Sequence, residues 1–195
     1  MSNYLDVLTD QKERKQFIDI LTQVQPQMDS LINELNAGHQ THYNTQNIID
    51  KINSNMLHFR YVNQDYPNWP DSAAGKAHRS WEIFEPDTLF VKPVNDKFLD
   101  NLELSDNSIR TLIHELWHHS GPSKGWGSKK KGLEDYLYEN MGIMHTTDKN
   151  QHKGSQHHYN EAEDFMIDLL QKKGLWDSLQ GLLPNQQQNI SVRGY

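Results

Sequence analysis

The chain has 195 residues, 35% of them hydrophobic, with a net charge of -7 and no cysteine. That length fits one domain with a sizeable core. The negative charge argues against nucleic acid as a main partner, no stretch is apolar enough for a membrane span, and the absence of cysteine excludes a disulfide framework and thiolate metal sites.

The opening stretch, "MSNYLDVLTDQKERKQF", has neither an apolar run nor a small-residue cleavage site. A cytoplasmic location, or export by a route without a cleavable signal, is therefore expected. Residues 10–36 place Phe17, Ile20, Leu21, Val24, Met28, Leu31, Ile32 and Leu35 at helical spacing. Pro26 is expected to kink or split this helix, and Gly38 to end it. A second amphipathic helix is expected over 41–52, so that 1–53 forms a helical N-terminal part.

The pattern then changes. "MLHFRYV" alternates Leu57, Phe59 and Tyr61 with polar neighbours and reads as a strand. "NQDYPNWPDSAAGKAHR" is rich in turn formers and reads as a loop. "WEIF" and "DTLFVKP" read as short strands of a half-buried sheet. Residues 105–119 form the strongest helix, with Ile109, Leu112, Ile113 and Leu116 along one stripe and Gly121-Pro122 as its stop. A short helix is expected over 133–141. A last one is expected over 159–172, with Phe165, Ile167, Leu169 and Leu170 partly buried. Residues 54–172 would then hold the sheet and the catalytic core, and 173–195 a C-terminal tail, frayed over "LLPNQQQNISVRGY". The order predicts one α+β domain.

Inside the strongest helix lies His114-Glu115-Leu116-Trp117-His118. Two histidines four apart stack on one helical face, one turn apart, so both rings can reach one ion. Zinc lowers the pKa of a bound water to about 7, and Glu115 is placed to take its proton. The pattern thus points to Zn²⁺ held by His114 and His118, with Glu115 as general base.

A third ligand is needed, and several residues compete. In the metzincin pattern, Gly121 falls on the glycine but Lys124 falls on the third histidine, and an ammonium cannot coordinate zinc. "GIMH" at 142–145 then reads as ordinary core and turn. In the gluzincin pattern, Asn160-Glu161 match the first two positions of a downstream Asn-Glu-x-x-Ser-Asp helix, making Glu161 a candidate. The plainer reading is that Glu161, Glu163 and Asp164 favour the positive end of the last helix. In "GLEDYLYEN", Asp135 and Tyr138 are three apart and share a helical face. There the carboxylate could bind zinc while the phenol stabilises an oxyanion. Otherwise Tyr138 is a core aromatic beside Tyr136 and Leu137.

Gly132, Asp135 and Tyr138 resemble the aspzincin signature Gly-Thr-x-Asp followed by Tyr, with Leu133 in place of Thr. The segment "DTLFVKPVNDKFLDNLELSDNSIRTLIHELWHH" resembles that family's strand, loop and active-site helix, and "HHYNEAEDFMIDL" sits where the family has a further helix. The likeness spans about 87–168. It implies a zincin-like fold, a zinc endopeptidase activity on protein or peptide substrates, and a ligand set of His114, His118 and Asp135 with Tyr138 as oxyanion donor. The family includes fungal lysine-specific endopeptidases, deuterolysins, and bacterial toxin and effector domains, so an effector or toxin role is implied too. The gap from His118 to Asp135 is longer than the family's. Glu163 matches one of the acidic residues that hold a substrate lysine, but Asn160 stands at the other, so the resemblance leaves lysine preference open. The family's cysteines are absent, which suits a reducing compartment.

Elsewhere the sequence is less specific. Lys124, Lys129, Lys130 and Lys131 crowd a Gly-rich loop that reads more simply as a solvated connection than as a basic lid. Among the remaining histidines only His157 and His158 are closely spaced; the pair reads as capping or preceding the last helix, or alternatively as a contact to substrate or to the metal's surroundings. The expected function is a Glu115-dependent zinc endopeptidase. The alternatives are a gluzincin-type site with Glu161, hydrolysis of another amide such as a cell-wall peptide, or a zinc-stabilised interaction module without turnover.

Overall fold

The computed structural model describes residues 4–35, 43–62, 75–78, 86–91, 104–122 and 161–183. In chain order these form β1 (Tyr4–Val7), α1 (Gln11–Leu35), α2 (Thr45–Asn53), β2 (Leu57–Val62), β3 (Gly75–His78), β4 (Asp87–Val91), α3 (Leu104–Trp117), α4 (Glu161–Lys172) and α5 (Trp176–Leu182). The described part is thus α+β, a small sheet with helices. None of its helices is long and apolar enough to cross a membrane.

α1 begins at Asp10, whose carboxylate accepts from the Lys12 and Glu13 backbone N–H groups. That satisfies donors the first turn cannot pair internally. The helix runs unbroken through Pro26, contrary to the expected split. Phe17, Ile20, Leu21, Val24, Met28 and Ile32 are all buried in one core on both sides of the proline. Their shared packing outweighs a local cost of about 3 kcal/mol for the ring and the missing N–H. Phe17 meets Phe59 of β2 edge to face, with ring centroids 5.5 Å apart.

The described strands form one four-stranded sheet, in the order β1-β2-β4-β3. β2 and β4 run parallel, and the outer strands pair antiparallel to them. Paired residues share a face of the sheet. The register therefore builds rows: Val7, Phe59, Leu89 and Ala77 in one; Leu5, Tyr61, Val91 and Gly75 in the next; Leu57 and Asp87 at the end. Phe59, Leu89, Tyr61, Val91 and Leu57 from these rows join the core that includes α1, α2 and α3. On the opposite face Arg60 pairs with its cross-strand neighbour Asp6 at 2.8 Å. Val62, Thr88 and Phe90 are buried there.

Four sequence expectations need correction. Residues 1–53 are not all helical, because Tyr4–Val7 is a strand. The segment read as a loop contains β3, whose Gly-Lys-Ala-His has little strand preference and is held by pairing with β4. The supposed tail carries α5, with Leu179 buried and Trp176 and Leu182 packed on the core. On α4, Ile167, Leu169 and Leu170 are covered as expected, but Phe165 is exposed and Met166 is buried. The expected strand at "WEIF" and the helix over 133–141 lie outside the described residues.

Both tight helix exits use left-handed residues. After α4, Gly174 has φ 68°, its N–H reaches Gln171 O, and Leu175 N–H reaches Leu170 O at 2.8 Å. After α2, Asn55 has φ 58°, its N–H reaches Ile52 O, and Met56 N–H reaches Lys51 O at 2.7 Å. These are paired carbonyl-capping turns of the kind that favour Gly or Asn. Arg14 donates to Leu8 O, Thr9 O and the Asn55 side chain, which ties the β1–α1 turn to the α2–β2 turn.

Nothing lies within 4 Å of a Cβ placed at Gly174, so only backbone strain opposes a side chain there. Gly174→Ala should cost about 1–2 kcal/mol in urea denaturation, and Gly174→Asn less.

Candidate functional site

α3 packs on β4 and β3, and α4 packs against α3. From Leu112 to Gly121 every residue is buried. This is more than the single apolar stripe expected: the polar motif is enclosed too. Relative exposure is 7% at His114, 3% at Glu115 and 6% at His118.

The helix ends at Trp117, so His118 sits in the turn that follows. His119 N–H reaches Leu116 O at 2.9 Å and Ser120 N–H reaches Trp117 O at 3.2 Å. The last turn has tightened to three-residue bonding. Even so, the His114 and His118 rings stay adjacent, with centroids 5.2 Å apart. With a zinc–nitrogen bond of about 2.0–2.1 Å, a ligating ring has its centre about 3.2 Å from the metal. Two such rings at a tetrahedral angle lie about 5.2 Å apart. The spacing of the two ring centres matches that of two imidazoles on one zinc ion.

Glu115 points to the sheet. A Cβ placed at Gly75 would stand 2.6 Å from both Cγ and Oε1 of Glu115, and 2.7 Å from Cγ2 of Thr111. The carboxylate and Thr111 thus rest against bare backbone at the start of the edge strand β3. Glycine is required there by close approach. No local pattern marks this contact, because the glycine stands in a stretch rich in turn formers.

Among the described residues, no set of three or more His, Asp or Glu side chains is grouped to hold a metal ion. Asp135 and Tyr138 lie outside the described residues, as does Asn160. Glu161 and Glu163 fall in the first turn of α4, and their side chains are not described. Of the expected site residues, the structure sets the His114 and His118 rings side by side and seats Glu115 of the same helix against β3.

It also shows a polar cluster the motif did not suggest. Lys51 of α2 is buried, and its amine donates to His119 O at 2.8 Å. Asp87, at the start of β4, has a carboxylate oxygen 3.9 Å from the Lys51 amine and 3.5 Å from His119 Nδ1. Ser120 O accepts from the Asn44 backbone N–H at 3.1 Å and from the Asn47 side chain at 2.8 Å. One clue was present in the sequence: Lys51 lies three residues after Ile48, on the apolar side of α2.

Titrations outside this cluster are shifted by ordinary causes. Burial pushes the Tyr61 phenol up, so it stays neutral on the helix-covered face of β2. Burial, and then the charge of Arg60, lower His58 on the opposite face.

No protein-family model, curated protein or solved structure matches the chain.

The contact with Gly75 has a measurable consequence. Gly75→Ala should lower stability by about 1–3 kcal/mol through overpacking. In a Thr111→Ser/Glu115→Ala background the same change should cost much less. Urea denaturation of the four variants reads this coupling directly.

Proposed function

We propose that this chain is a zinc-dependent endopeptidase with a zincin-type core of the aspzincin kind. The observation that carries the reading is the buried set His114, Glu115 and His118: two imidazoles at zinc spacing and a carboxylate seated beside an edge strand. A purely structural zinc site needs no base and prefers four protein ligands. Asp135 completes the ligand set, and Tyr138 serves as oxyanion donor.

Bound zinc would supply Lewis acidity at the scissile carbonyl and lower the pKa of the attacking water. Glu115 takes that water's proton as its oxygen attacks the carbonyl carbon. Tyr138 donates a hydrogen bond to the carbonyl oxygen as it gains negative charge. Glu115 then returns the proton to the departing nitrogen as the C–N bond breaks. β3 is the last strand of the described sheet beside Glu115, and an extended peptide can add to such an edge through its backbone. This favours a polypeptide substrate over a compact amide. Glu163 and Asn160 are proposed to contact the substrate.

The Glu161 alternative is favoured by one observation: its helix, α4, packs directly against α3. Zinc content separates the two readings. Asp135→Ala should lose most of its metal, and Glu161→Ala should keep it. The reverse result would assign the site to Glu161.

Glu115→Gln should keep its zinc and lower kcat/KM by about 10²–10⁴-fold. A mass-spectrometric cleavage profile of a proteome, comparing this variant with the wild type, reads activity and specificity together. Cleavage by the Gln variant at the wild-type rate would overturn the mechanism. Activity on peptidoglycan but not casein would move the substrate to cell-wall peptides. Zinc binding without turnover on either would leave an interaction module.

A further inference from the structure

We propose that Lys51 and Asp87 are positioning residues for the metal pair, acting through the backbone that follows His118. The inference rests on the zinc reading above and assigns a role to a part of the chain that carries no motif.

A buried ammonium is costly unless it is paired and hydrogen-bonded, and an apolar residue of similar size often serves stability as well or better. Lys51 nevertheless sits on the apolar side of α2, 1% exposed, among Ile48, Ile49 and Ile52. Its placement gives it a specific use. The C-terminal end of a helix carries partial negative charge and carbonyls without helical donors. The Lys51 amine meets that end at His119 O, one residue past the second imidazole. Asn44 and Asn47 take the next carbonyl, that of Ser120. Together they cap α3 from another helix.

The cap is itself held in register. Met56 N–H binds Lys51 O at the end of α2, and Met56 O accepts from Asp87 N–H at 2.9 Å. The Asp87 carboxylate then faces both the Lys51 amine and His119 Nδ1. The loop of contacts closes from Lys51 through Met56, Asp87 and His119 back to Lys51. Its effect falls on His118 more than on His114. His114 lies within α3, where its neighbours' hydrogen bonds fix it. His118 lies in the turn beyond, where helices fray unless they are anchored. The spacing of the two imidazoles thus depends on a contact 68 residues distant in sequence.

The test uses the full chain with Lys51→Met, Asp87→Asn, both together, and Asn47→Ala. Zinc affinity is read by competition with a chelator, and stability by unfolding of the metal-free protein. Each single change at Lys51 or Asp87 removes one charge of the buried pair and should lower stability. The double change removes both charges and should regain most of that stability. Its zinc Kd should nevertheless stay about 10- to 100-fold weaker than wild type, as for other groups that orient ligands without touching the metal. Asn47→Ala, which leaves the buried charges in place, should weaken zinc by a smaller factor.

A double variant that regains both stability and zinc affinity would show a purely structural pair and overturn the inference. So would variants that bind zinc as tightly as wild type. A wild-type chain that takes up no zinc would overturn the metal reading, and this inference with it.

Discussion

The carbonyls of His119 and Ser120, in the buried turn that closes α3, must find donors. This requirement explains much of the N-terminal half. The donors come from α2, through Asn44, Asn47 and Lys51. α2 must therefore be fixed in place and in rotation. At its start the Asn44 side chain accepts from Asn47 N–H, and Asp29 of α1 accepts from Thr45 N–H. At its end the left-handed Asn55 turns the chain sharply into β2, and Arg14 binds the Asn55 side chain. Helices that carry no chemical motif are thereby bound to the geometry of the one that does.

The sheet imposes the same discipline from below. Asp87, Leu89 and Val91 face the helices because successive strand residues alternate sides. A shift of β4 by one residue would turn Asp87 away from Lys51 and place Thr88 against the helix end. The pairing of Gly75 with Val91 sets the second contact, since it brings bare backbone under Glu115. One register thus fixes both the support of the helix end and the seat of the carboxylate.

What was legible in the sequence was local. The repeat of Phe17, Ile20, Leu21 and Val24 shows α1, and alternation in "LHFRYV" shows β2, because each period depends on near neighbours. His114, Glu115 and His118 are legible for the same reason. β1 and β3 were not, because four residues of mixed character form strands only when a neighbour pairs with them. Pro26 does not split the helix, because its local cost is outweighed by the core on both sides of it. Met166 rather than Phe165 is buried because α4's orientation is chosen by the helices it packs on. The cluster of Lys51, Asp87 and His119 was invisible for the strongest reason: its members come from three elements brought together only by folding.

The two histidines of the motif are consequently held by different physics. His114 owes its place to the helix that contains it, and would keep its backbone geometry wherever that helix forms. His118 stands past the last helical residue, and its place depends on tertiary contacts from α2 and β4. A spacing that reads as a purely local signal in the sequence is thus completed by long-range structure. Any ion bridging the two rings would bind the folded arrangement and not the unfolded chain, so its binding energy would add to the stability of α2 and β4 as well as α3. For such an ion, the imidazole pair and the packing beneath it would form one thermodynamic unit.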